Sequence, residues 1–119
     1  MKLSELTLRE VPVVHPGSPL DEAIRLMREE PLKTVVLVGD EQYMGIFDEA
    51  CLNSPLIPRK VDPSMLEVGP YADSLNYVGH PDMTAVDALA LMTRRHLSVM
   101  PVVDNNTYLG VVTPADLIG

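Results

Sequence analysis

Cysteine is nearly absent from this 119-residue chain, where Cys51 stands alone. A single thiol excludes an intrachain disulfide and a cysteine-rich zinc site, and it points to a reducing cytoplasm. Tryptophan is missing, and Phe47, Tyr43, Tyr71, Tyr77 and Tyr108 offer too few faces to stack a single-stranded nucleic acid. Positive charge is scarce as well. Lys and Arg number 9 against 17 Asp and Glu, a formal net charge of −8, and an acidic surface repels phosphate backbones. No DNA or RNA partner is expected. No apolar run approaches the ~18 residues of a membrane helix. The opening Met1-Lys2-Leu3-Ser4-Glu5 has no continuous apolar stretch behind it, so no secretory signal is expected either. Proline, by contrast, is abundant at 11 residues and should cut the chain into short elements and turns. The length suits one compact domain, and 46% hydrophobic with 22% charged residues is globular usage.

The strongest positive signal is repetition. Sliding the chain by 65 residues aligns 13–52 with 78–117 without a gap, and 12 of those 40 positions are identical. His15/His80, Pro16/Pro81, Ala23/Ala88, Met27/Met92, Tyr43/Tyr108 and Gly45/Gly110 are among them. The segment 53–74 holds Pro55, Pro58, Pro63 and Pro70 and reads as a connector. The expected division is a first repeat with the start of the connector over 1–60 and a second repeat over 61–119, together one compact module. Copies this small should need each other to bury their apolar faces.

Each copy has the same grammar. Val11–Val14 and Asn76–Gly79 read as short strands, the first an edge strand because Pro12 cannot donate. Ser18-Pro19 offers an N-cap and a first-turn proline. Leu20, Ala23, Ile24 and Met27 fall on one helical face, as do Ala85, Ala88, Leu89 and Met92. Two strands follow around a tight turn, Thr34–Val38 with Tyr43–Phe47, then Val99–Val103 with Tyr108–Val112. Short helices over Asp48–Leu52 and Thr113–Ile118 close the copies. The order β-α-β-β-α, twice, makes an α+β fold.

The runs Leu97-Ser98-Val99-Met100-Pro101-Val102-Val103-Asp104 and Gly110-Val111-Val112-Thr113-Pro114-Ala115-Asp116-Leu117 resemble the cystathionine-β-synthase (CBS) domain pair, the Bateman module. Weaker versions stand at Thr34–Gly39 and at Gly45-Ile46-Phe47-Asp48-Glu49-Ala50. The resemblance implies two repeats packed around a pseudo-twofold axis, commonly dimerised. It also implies adenosine compounds bound between the repeats, and regulation of a partner rather than catalysis.

The second copy carries the candidate site. A hydroxyl at Thr113 and a carboxylate at Asp116 suit a phosphate and ribose hydroxyls, and the resemblance assigns them those roles. The same Thr113-x-x-Asp116 spacing is also a capping box that requires no ligand. By family position Val111 lines one wall of the base pocket, with Ser18, Ala23 and Tyr43 of the first copy completing it. Lys33 stands where the family often places a phosphate-directed basic residue. The first copy departs from the pattern, with Asp48 for the threonine and Cys51 for the aspartate. A carboxylate at the anion position repels phosphate, so this second site should be weak or empty. His15 and His80 are equivalent, but no carboxylate spacing supports a metal, and loop capping accounts for them. Arg94-Arg95-His96 ends a helix, where positive charge suits the dipole.

These observations predict a regulatory module, not an enzyme, with no required cofactor. AMP, ADP, ATP or S-adenosylmethionine is its candidate regulatory ligand. The alternative is a dimerisation module with vestigial pockets. Leu26 and Leu91, off the main helical stripes, suggest apolar surface for a homodimer. The regulated protein partner is not legible.

Overall fold

Asp40 and Glu41 form a two-residue turn with φ of 51° and 65°, and Asn105 and Asn106 repeat it at 48° and 67°. Positive φ at both central residues is the geometry that matches strand twist, so each turn closes an antiparallel hairpin. The computed structural model describes residues 1–74 and 76–118. The first hairpin joins β2 (Thr34–Gly39) to β3 (Gln42–Asp48), and the second joins β4 (Met100–Asp104) to β5 (Thr107–Val112). Both slip register at one place, leaving Met44 and Leu109 as bulge residues ahead of Gly45 and Gly110. β1 (Val13–Val14) adds in parallel to β2, giving the order β1-β2-β3, with β1 at the edge as expected.

α1 (Leu20–Glu29) and α3 (Ala85–Arg95) bury Leu20, Ala23 and Met27, and Ala88 and Met92. α2 (Glu49–Leu52) and α4 (Pro114–Ile118) follow the hairpins. The architecture is mixed α+β, as the repeat predicts. Among the described residues no helix is long and apolar enough to cross a membrane.

Two expectations need correction here. The predicted strand at 76–79 shrinks to a single bridge of Gly79 with Val102, because Pro101 stands where Val36 of the first copy donates to the Pro12 carbonyl and has no N–H to give. Ser18 does not cap α1. Pro19 holds the N-cap position, and the Ser18 hydroxyl accepts from the His15 N–H at 3.0 Å instead. Thr84 does cap α3, accepting from the Asp87 N–H at 3.1 Å.

The chain divides into two compact units, Val11–Asn76 and Met1–Glu10 with the chain from Tyr77 onward. The expected boundary at 60/61 is therefore not where the units part. Residues 61–76 fold with the first copy, and the leading ten residues fold with the second. The reason is a second layer of the repeat that no residue identity reveals. Leu3 and Ser4 donate to the carbonyls of Met83 and Pro81, and Val68 and Gly69 donate to those of Ser18 and Pro16. Every one of these partners differs by 65. The segments beginning at Met1 and Leu66 are thus equivalent arms, and each completes a unit.

Each unit consequently has its own core, against the expectation that neither copy could form one. Val14, Leu20, Met27, Val35, Phe47 and Val68 cluster in one, and Leu3, Ala88, Met92, Met100, Val102 and Val112 in the other. Leu3 and Val68, equivalent arm residues, are fully buried. Leu26 and Leu91 pack against these cores, so they are not the free surface from which a homodimer was inferred.

Candidate functional site

Thr113 follows β5 directly, and α4 begins at Pro114, so the hydroxyl and the carboxylate three residues on lie over the same turn. The Thr113 N–H and hydroxyl both donate to Asp116 Oδ2, at 2.9 and 3.1 Å. The predicted pair is brought together as one half of the box its spacing describes, because the Asp116 N–H donates to the Thr113 carbonyl, at 3.0 Å, and not to its hydroxyl. Thr113 and Val111 are buried.

The arm adds a residue that the sequence reading did not single out. Arg9 N donates to the Val111 carbonyl and Val111 N donates back, at 3.0 and 2.8 Å, so the arm runs antiparallel beside β5. Gly110 permits the approach. A Cβ there would stand 2.7 Å from Leu8 Cβ and 2.9 Å from the Arg9 carbonyl, and its φ of +154° already disfavours a side chain. Held this way, Arg9 lays its fork on Asp116. Nε lies 3.0 and 2.9 Å from the two carboxylate oxygens, and Nη2 lies 2.8 Å from Oδ1. The Arg9 hydrogen bonds are the main cause that holds the Asp116 carboxyl down at about 2, against the smaller opposing effect of burial. No short-range pattern announces this pair, because 107 residues separate its members.

The first copy builds the same scaffold with other chemistry. Asp48 caps α2, its side chain accepting from the Cys51 N–H at 3.1 Å. Asp73 bridges Ile46 at the position where Arg9 bridges Val111, and Gly45 allows its close approach. Where one unit gathers threonine, aspartate and arginine, the other gathers aspartate, cysteine and aspartate. Burial, with Asp48 and Asp73 close by, pushes the Cys51 thiol up to about 11. Asp48, Cys51, Tyr71 and Asp73 line a groove of about 280 Å³.

Val111, Thr113 and Asp116 lie in one unit, and Ser18, Ala23, Lys33 and Tyr43 lie in the other. These last four occupy different elements. Ala23 is fully buried in the core, so its small side chain serves packing there. Ser18 holds its loop, as described above. Lys33 is exposed with φ of 52°, and its ammonium donates to the Arg28 carbonyl at the end of α1. The Tyr43 hydroxyl donates to Asn76 Oδ1 at 2.7 Å.

The two histidines do cap loops. His15 Nδ1 accepts from the Gly17 N–H at 2.9 Å, and His80 Nδ1 accepts from the Asp82 N–H at 3.2 Å. Among the described residues no group of three or more His, Cys, Asp or Glu is placed to hold a metal. Arg95 ends α3 and stacks its guanidinium 4.8 Å from the Tyr77 ring centre.

A family model described as "CBS domain" matches residues 3–51 and 80–119. Arabinose 5-phosphate isomerase KdsD of Yersinia pestis is 29% identical over 124 residues, covering 99% of this chain and 37% of that protein. The chain spans 37% and 38% of the lengths of the curated relatives it matches. Among solved structures, CBSX2 in complex with AMP superposes with a TM-score of 0.81 at 21% identity, covering 98% of this chain and 92% of that one. The cytosolic domain of the Mg2+ channel MgtE in complex with ATP superposes with a TM-score of 0.75 at 22% identity, covering 95% and 46%.

Proposed function

The chain belongs to the CBS-domain family, and from that premise we propose that it is a regulatory module that binds an adenine nucleotide through its second copy. The observation that carries this reading is the asymmetry between the two β-strand-to-helix junctions. One presents Thr113 with an ionised carboxylate at Asp116 and an arginine beside it. The other presents two carboxylates, which repel phosphate, and at the ribose position a neutral thiol, too weak an acceptor for a pair of hydroxyls. Two proteins of this fold were solved with AMP and with ATP, which supports the ligand class.

In this reading Asp116 accepts the ribose hydroxyls and the Thr113 hydroxyl turns toward the phosphate side. Val111 lies two residues before Thr113 in the same unit, and Ser18, Ala23, Tyr43 and Lys33 remain what the family pattern alone assigns to base and phosphate. The module regulates, without catalysis of its own, whatever protein it is attached to or docks on. The single, half-buried thiol fits a reducing cytoplasm. Thermal melting with ATP, ADP, AMP and S-adenosylmethionine tests the reading, since a ligand at 100 times its Kd adds about 2.7 kcal/mol. Melting unmoved by all four refutes it.

A second reading, assembly into a homodimer, draws on one specific feature. Val86 and Ile118 are 77% and 74% exposed on α3 and α4, beside Leu89 and Ala90. The equivalent part of α1 is charged, with Asp21, Arg25 and Glu29. Self-association should therefore use α3 and α4. Light scattering that finds only a 13.1 kDa species at high concentration rejects it.

A further inference from the structure

Asp116 is already saturated as an acceptor. A carboxylate offers about four lone-pair positions. Four donor groups take them: the Nε–H and Nη2–H of Arg9, and the N–H and hydroxyl of Thr113. The Thr113 N–H cannot leave without opening the turn, and a Thr113 hydroxyl that turns toward the phosphate frees one position on Oδ2 only, whereas Oδ1 is held by Arg9 alone. Arg9 is different. Its side chain is 52% exposed, against 20% for Asp116, and the backbone bridge to Val111 holds the arm without it.

We propose that Arg9 is a displaceable latch on Asp116, and thereby a residue that sets how strongly this module discriminates ribose hydroxyls. The inference rests on the reading above, in which Asp116 accepts those hydroxyls. A pair of ribose hydroxyls can reach both carboxylate oxygens only as the guanidinium swings away from Oδ1 into water. Every hydroxyl contact to Oδ1 is thus an exchange, in which a hydroxyl donor replaces N–H donors of a charged fork. An exposed ion pair is a modest barrier to such an exchange, so the latch tunes affinity without abolishing it. The other unit has no such exchange, because Asp73 and Cys51 stand at the equivalent places.

The test compares AMP with 2′,3′-dideoxy-AMP, which keeps base and phosphate but has no hydroxyl to compete with Arg9. Their affinity ratio isolates the hydroxyl contact, and any general effect of charge on phosphate cancels. Calorimetry is run on the wild-type chain, on Arg9→Met, which keeps an unbranched stem without donors, and on Arg9→Gln. The preference for AMP should widen by about three- to fivefold in both variants. A ratio unchanged within about twofold, or narrowed, overturns the latch while AMP binding itself persists. No AMP binding by any of the three proteins refutes the nucleotide reading, and the latch with it. In the wild-type chain, the Arg9 Nε–H NMR resonance should move to the free-guanidinium position on saturation with AMP and stay in place with dideoxy-AMP. A resonance that ignores AMP also overturns the latch.

Discussion

Replacing Gly110 by alanine puts the arm under direct stress. The new Cβ has no room, with Leu8 Cβ at 2.7 Å and the Arg9 carbonyl at 2.9 Å, so either β5 or the arm must move. Movement breaks the two backbone hydrogen bonds between Arg9 and Val111, each worth about 1 kcal/mol net. Whatever gives way, a side chain at this positive φ costs a further ~1 kcal/mol. The expected loss is about 3 kcal/mol, which lowers Tm by roughly 8–15 °C in a chain of this size. Thermal and urea unfolding measure the total. Native-state hydrogen exchange assigns it, because the amides of Arg9 and Val111 should lose protection before the rest of the second unit. A variant that melts within about 2 °C of wild type, with both amides still protected, refutes the reasoning that Gly110 exists to admit the arm.

Asp116 titrates near 2 in the folded chain and near 4 unfolded, so its contribution to stability is complete above about pH 4 and fades as pH falls toward 2. Urea midpoints between pH 5 and pH 2 should drop more steeply in wild type than in Arg9→Gln, and identical slopes contradict the pair. Cys51, raised to about 11, should resist alkylation at pH 8, and its rate should climb only well above pH 9; an apparent pKa below 9 contradicts the burial argument. Glu41 holds φ of 65° where the second copy uses Asn106, so Glu41→Asn should stabilise by roughly 0.5 kcal/mol in urea unfolding, and a destabilised variant contradicts the turn assignment.

Much of this was legible because it is periodic or local. Spacing along α1 and α3 marked Ala23, Met27, Ala88 and Met92 as core, and the turns at 39–42 and 104–107 marked both hairpins. The contrast of Thr113 and Asp116 with Asp48 and Cys51 could be read directly, since the 65-residue offset places them in register. The arms could not be read. Residues 1–12 share no identity with 66–77, because their role is met by backbone hydrogen bonds and one apolar side chain, Leu3 or Val68. Any short segment of suitable shape satisfies that. Arg9 was invisible for the same reason, being specified by a backbone bridge to Val111 and not by any neighbour in sequence. The N-cap of α1 was misread because Ser18 has a nearer donor, the His15 N–H, in its own loop.

In the reading proposed above, an adenine nucleotide binds at Asp116 and not at its counterpart Cys51. Isothermal titration of AMP into wild type, Asp116→Ala and Cys51→Ala, each first shown to be folded, tests it most directly. A charge-assisted contact to hydroxyls is worth about 1.5–3 kcal/mol, and part of that is already spent in displacing Arg9. Asp116→Ala should therefore weaken AMP about tenfold. Cys51→Ala should leave affinity unchanged. No measurable binding to the wild-type chain, or equal losses in the two variants, would contradict the account.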